Sequence, residues 1–383
     1  MKYTDYKDID KEQLQKDIDD IKSKVGPVTW EDFDFLMKMQ KWGRISLTTG
    51  ILLLLVIVFN DFNIFINLII GSLSGILIGV YNVNRWANIT HPILHGAFDK
   101  LKGIPKKYTS KGFAKGKIRR FIDWRDWIIP EAWAYEHNIM HHYHLGELDD
   151  PDNVEKNMVW LHKAKIPMFL KYLFVYVFAT IWKLTYYAPN TLRILNNKDR
   201  KKQGLEETTE YELNPFSKNG SILWKDYILP YFIFQFIILP LLFFPLGINA
   251  VLTVLSILVV AEIYANLHSF LVIVPNHSAE DIYQFETPHK TQGEYYLRQI
   301  MGSVNYNTGT DFKDFLHGFL NYQIEHHIFP NMPNSFLQKA QPIIKDICKK
   351  HNLEYRQESV FKRMKMTIDL MVGKTKVLRV EGI

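Results

Sequence analysis

Blocks of continuous apolar residues alternate with long polar stretches along the chain. Residues 1–41 are polar, with a charged, acidic start that lacks an apolar core and a small-residue cleavage site. They do not read as a signal peptide but as a partly helical cytosolic lead-in. Two apolar runs follow, Ile45–Phe59 and Ile64–Tyr81, parted by the short polar loop 60–63. The first is shorter than the roughly 20 residues that cross about 30 Å of hydrocarbon. It reaches that length by drawing in Trp42 and Gly43, with Arg44 snorkelling to the interface. A second pair, Tyr227–Leu246 and Ile248–Val274, meets at the turn Pro245-Leu246-Gly247. The pattern predicts an all-α integral membrane protein with four transmembrane helices in two hairpins, at about 42–60, 64–81, 227–246 and 248–274. It divides the chain into an N-terminal segment 1–41, a membrane domain 42–345 and a cytosolic tail 346–383.

Charge sets the expected orientation. The loops inside the hairpins carry no Lys or Arg, whereas basic residues crowd the stretch Lys100–Arg125. The positive-inside rule therefore places both termini and the long polar segments, 82–225 and 275–383, in the cytoplasm. Met168–Tyr187 is also apolar, but Lys171 and Lys183 bracket a core too short to span. It is expected to lie in the interface, with Trp182, Tyr186 and Tyr187 at headgroup depth. The net charge of +6 is modest, and its clustering suits anionic lipid or an acidic protein partner rather than nucleic acid. The single cysteine, Cys348, excludes an internal disulfide and a multi-thiolate metal site.

Candidate chemistry lies in the histidines. Three short groups stand out: His91-Pro92-Ile93-Leu94-His95, His137-Asn138-Ile139-Met140-His141-His142 and Gln323-Ile324-Glu325-His326-His327. Residues four apart share a helix face, so His91/His95 and His137/His141 each aim two imidazoles at one point. Pro92 suits the first turn of such a helix. Two spans separate the second group from the third and none separates the first from the second, so all three emerge on one membrane side. Imidazole suits iron, zinc, copper or nickel. Seven histidines exceed what one zinc takes, so two metal ions sharing the set is the economical reading. His144, His162, His289, His317 and His351 stand alone and read as surface or hydrogen-bonded residues.

These groups resemble the membrane fatty acid desaturases, whose boxes run HxxxH, HxxxHH and HxxHH or QxxHH. The segment Leu320–Pro330, LNYQIEHHIFP, is similar to the acyl-lipid and front-end branch, and His141–Gly146 with Asp149–Asp152 looks like bacterial members. The resemblance covers about residues 45–345. It implies a helical cytosolic cap over four membrane helices, two non-haem iron ions, O₂ as co-substrate and an acyl chain in a buried channel. Carried across, it makes His91, His95, His137, His141, His142, His326 and His327 ligands. A further ligand is expected just after the last span, where His277 is preferred to His268. Gln323 stands where much of the family has histidine and is expected to hold a metal-linked water or bind weakly. Glu136, Glu325, Asp149, Asp150, Glu280 and Asp281 are candidates for orienting the imidazoles. Glu262, within the fourth apolar run, and Asn266 are candidates to line the acyl tunnel, unless the helix projects into the cap there.

No HPGG haem motif occurs and residues 1–41 are too few for a cytochrome b5 domain, so electrons are expected from a separate ferredoxin or cytochrome b5. Lys100–Arg125 is a candidate docking surface for such a protein, with plain membrane anchoring as the other reading. The acyl carrier, whether lipid, CoA or protein, is left open. A hydroxylase of acyl chains, alkanes or carotenoids shares the histidine pattern, and product analysis separates it from a desaturase. A non-catalytic zinc-binding membrane protein would hold about one zinc and consume no O₂.

Overall fold

The computed structural model describes residues 6–60, 62–208 and 213–380. Asp61 of the first hairpin loop and the side chain of Lys117 in the basic stretch fall outside the described residues. Among the described residues, four helices are long and apolar enough to cross a membrane: Trp30–Val58, Ile64–Leu94, Lys218–Leu246 and Ile248–Asn276. Each begins or ends beyond the apolar run that announces it.

The first span starts at Trp30 because Thr29 and Asp32 form a reciprocal capping box, with the Thr29 N–H donating to Asp32 at 2.8 Å. That helix passes straight through the expected boundary at 41/42. The second span continues past Tyr81 through a wide turn at Arg85–Thr90 and delivers His91 at its end. The third contains Pro230 and Pro240. Each proline withdraws an N–H from the helix, and each follows directly on a wide turn, Leu223–Ile228 and Phe234–Ile238.

Small residues let the spans approach closely. A Cβ on Gly75 would lie 2.6 Å from Val260, and one on Gly79 would lie 2.7 Å from Tyr264, both on the fourth span. Ser74 Oγ donates to the Gly50 carbonyl at 2.7 Å, joining the second span to the first. Without a hydrophobic force between helices in lipid, such close contact and internal hydrogen bonding supply the packing.

Met168–Ala179 meets Lys183–Lys202 at 85°. Its 12 residues reach only about 18 Å, short of the hydrocarbon thickness. Phe169, Leu173, Tyr176 and Val177 face outward from it, while Lys171 donates inward to the His162 carbonyl and Lys183 to Asp126.

The first and last described segments are part of the cap. Leu14, Ile18 and Ile21 are fully buried, in helices that pack on Gln292–Met301 and Asn334–Lys350. The latter helix also crosses the expected boundary at 345/346. Beyond it, Val360–Met371 packs against the end of the fourth span, and Leu378–Val380 pairs in parallel with Tyr283–Phe285. The expected tail is therefore a wall of the cap, closed by contacts distant in sequence. The two short parallel pairings, the other being Asn305–Tyr306 with Gln357–Glu358, are the strand content among the described residues.

Candidate metal centre

The helix ends converge on one point. His91 and His95 come from the end of the second span, His137, His141 and His142 from a wide helical turn at Glu136–His141 and the residue after it, and His326 and His327 from Gln323–Ile328. His277 follows the last residue of the fourth span. Together they form two groups. Ring nitrogens of His91, His95, His137, His142 and His326 lie within 4.8 Å of one another, as do those of His141, His277 and His327. His137 joins the first group and His141 the second, yet the two stay neighbours, as their spacing predicts, with rings stacked at 5.4 Å and ligand atoms within 4.8 Å of each other and of Asp152.

Distances within the first group match a coordination sphere. His91 Nε2 lies 3.0 Å and His142 Nε2 lies 3.2 Å from His137 Nε2. Donors each about 2.1 Å from a common ion and at right angles would be about 3 Å apart. Neutral imidazoles cannot supply every such contact with a proton. The Nε2 atoms of His95, His326 and His327 are buried and have no protein partner. Buried polar atoms are rarely left so, and a pair of metal ions would satisfy all of them at once. Burial holds His326 and His327 well below the ordinary imidazole pKa and takes His277 to about 3, aided by the nearby His141. These rings are therefore neutral, with lone pairs available to a metal.

Three of the opposite ring nitrogens are tied down. His277 Nδ1 meets the Gly302 carbonyl at 3.0 Å, His327 Nδ1 meets Gln299 Oε1 at 2.9 Å, and His141 Nδ1 meets Asp150 at 3.0 Å. Burial disfavours a charged His141, but Asp150 outweighs it and raises its pKa. Asp152 stands 3.7 Å from the same nitrogen. Such partners fix tautomer and ring direction. Gln299 carries no local signal, because it reaches its histidine only through the tertiary fold, whereas Asp152 lies in the acidic stretch 149–152 beside the second histidine group, of which only Asp149 and Asp150 were expected to orient imidazoles.

Gln323 Nε2 lies 2.8 Å from His277 Nε2, while its Oε1 is buried without a partner. It therefore occupies the metal-facing side of the three-histidine group. His268 points elsewhere, to the Leu316 carbonyl at 2.6 Å. Glu136 is buried beside the Tyr187 hydroxyl at 3.3 Å, its pKa raised well above the ordinary carboxyl range by burial and by Asp152 and Asp150. Glu325 accepts from Asn305 and Tyr355, and burial raises it to about 7 against those hydrogen bonds. Asp281 pairs with Arg363, and Asp149 and Glu280 are exposed. The five isolated histidines are all hydrogen-bonded outside the centre, His144 and His289 to Glu147, His162 to the Leu370 carbonyl, His317 to the Lys313 carbonyl and His351 to Asp17.

A cavity lies against the centre, touching His91, His137, His141, His277 and Gln323 and walled by apolar and aromatic residues such as Trp86, Trp182, Tyr187 and Phe270. Glu262 and Asn266 are outside its lining. Glu262 instead accepts from Trp127, Tyr231 and Asn266, at 2.6, 2.7 and 2.8 Å, and Asn266 accepts from the Lys183 N–H. The pair ties the bent helix and the 124–128 segment to the spans, which is how a buried carboxylate is satisfied there.

A helical membrane protein with histidines gathered at its helix ends is the class this fold and site define. The profile of the fatty acid desaturase family matches residues 67–359, and the chain belongs to that family. It is 27% identical over 288 residues to an NADPH-dependent stearoyl-CoA 9-desaturase of Mycobacterium tuberculosis, a match covering 74% of this chain and 62% of that protein. It is 24% identical to an acyl-lipid (7-3)-desaturase of Rebecca salina, over 70% of this chain and 56% of the relative. A Delta(8)-fatty-acid desaturase of Arabidopsis thaliana is 34% identical over a shorter stretch, 25% of this chain and 20% of the relative. The chain thus spans about three-fifths or less of the length of these relatives.

Proposed function

We propose that the protein is an O₂-dependent fatty acid desaturase whose eight clustered histidines hold two iron ions. The observation that carries this reading is the division of those histidines into a five-membered and a three-membered group at coordination spacing beside an apolar cavity. In the net reaction an acyl chain loses one hydrogen from each of two adjacent methylenes, and O₂ with two electrons and two protons leaves as two waters. The iron pair, when bound, supplies the redox capacity to activate O₂ against an unactivated C–H bond. The chain's own residues do the rest. Apolar and aromatic walls exclude water and hold the acyl chain in one register, so that position rather than intrinsic reactivity selects the bond. Gly302, Gln299 and Asp150 keep the imidazoles aimed.

The electron donor in this reading is a separate protein such as a ferredoxin or cytochrome b5. In this orientation the centre and both termini face the cytoplasm, supported by the basic stretch 100–125 and the uncharged hairpin loops. Part of that stretch packs toward the spans. Arg125 lies over the Phe234 ring at 5.1 Å, and Phe121 meets the same ring at 5.0 Å. Membrane anchoring thus suits 117–125, leaving Lys100–Lys111 as the part free to meet a donor.

Expression in a host with a simple fatty acid profile, followed by gas chromatography of its lipids, tests the reading. A new double bond is expected, and His142→Ala or His327→Ala should abolish both product and bound iron. A hydroxylated product, or full activity in either variant, would sink it.

A further inference from the structure

The family match ends at residue 359, but the cavity wall does not. Met371, the last residue of the helix Val360–Met371, is buried and lines the cavity. Lining residues from elements without clustered histidines include Val154, Asn157, Phe178 and Met371. They belong to three elements, Val154–Asn157, Met168–Ala179 and Val360–Met371, of which the first two each pack on the third. Hydrogen bonds clamp this wall around Met371. The Tyr172 hydroxyl donates to Asp369 at 2.5 Å, the His162 ring meets the Leu370 carbonyl at 3.0 Å, and the Val377 N–H donates to Glu155 at 3.2 Å. Pairing of Leu378–Val380 with Tyr283–Phe285 anchors the segment from the other end.

An acyl chain offers this wall no hydrogen bond, only shape and dispersion contact. Discrimination between chains then depends on the volume left at the wall, and an unbranched thioether fills irregular space well. We propose that Met371 is a specificity-determining residue, closing the histidine-free side of the cavity and setting how far an acyl chain runs past the metal centre. The C-terminal helix, beyond the family-wide segment, thereby selects chain length and the carbon pair presented. This inference rests on the desaturase reading.

Full-length protein, wild type and with Met371→Ala or Met371→Phe, is expressed in a host whose lipids hold saturated chains of two lengths. The ratio of the two unsaturated products is read by gas chromatography with mass spectrometry, and iron per chain is measured on purified protein. Met371→Ala should move the ratio toward the longer chain and Met371→Phe toward the shorter, each by about tenfold, as a pocket contact worth one methylene would, at unchanged iron. Equal loss on both chains, or an unchanged ratio, overturns the assignment. If the larger changes prevent accumulation, Met371→Leu decides: a smaller shift in either direction at normal iron supports the assignment, and none overturns it. Absence of any double bond from the wild type overturns the desaturase reading itself, and is recognised before any substitution is compared.

Discussion

Each clustered imidazole has one nitrogen facing its neighbours and, where a partner is present, the other held by the protein. His277 and His268 show what that arrangement decides. Both follow apolar sequence near the end of the fourth span, and both are hydrogen-bonded to a backbone carbonyl. Only His277 directs its free edge toward His141 and His327, with ring centroids 4.9 and 4.5 Å away. His277→Ala should therefore lower the iron content of purified protein, while His268→Ala should leave it at the wild-type level. Equal iron in the two variants would remove His277 from the ligand set. The three-histidine group, beside which Gln323 stands, holds two imidazoles fewer than the other, so in the proposed centre the two metal positions would be chemically unequal.

Among the elements, the second and fourth spans pack closely through Gly75 and Gly79. Their four-residue spacing puts both glycines on one face of the second span, where small residues let the fourth come close. Gly75→Leu should destabilise the fold by roughly 1–3 kcal/mol through overpacking, seen as a lower midpoint in thermal unfolding in detergent. An unchanged midpoint would mean that the spans are not in this contact. At the opposite side, the helix Lys11–Asp19 is tethered to Asn334–Lys350 by Asp17, which meets Lys350 at 2.6 Å and His351 at 2.7 Å. Burial would raise the Asp17 pKa, but hydrogen bonds from Lys350, His351 and Gln13 outweigh it and lower it to about 2. A folded value below the unfolded one makes this contribution complete above about pH 4 and lost as pH falls through the folded value. Protection of residues 11–19 in hydrogen exchange, corrected for intrinsic rates, should therefore fall between about pH 4 and pH 2. Asp17→Asn should flatten that dependence.

For the whole molecule, the histidine groups must share one side of the bilayer, and the two hairpins achieve this by returning the chain twice. Single cysteines introduced at exposed Ile139 and Lys349, in a chain lacking Cys348, should be labelled from the same side by an impermeant reagent in oriented vesicles. Residues at the hairpin turn near Gly247 should be labelled from the other. Labelling of positions 139 and 349 from opposite sides would contradict the shared centre.

The sequence by itself determined the four spans and the three histidine groups, because hydropathy and residue spacing are local properties of the chain. The likeness to the desaturases also pointed to His277, the histidine just after the last apolar run. Only the tertiary structure decided how the histidines divide into five and three, since His277, His326 and His327 join the groups from segments distant in sequence. The same holds for Glu262 and Asn266, which act as a buried tie rather than a cavity wall, and for Gln299, which reaches His327 across 28 residues. The chain ends belong with these. Polar composition made them read as lead-in and tail, yet each is amphipathic, and burying one face of such a helix requires partners hundreds of residues away.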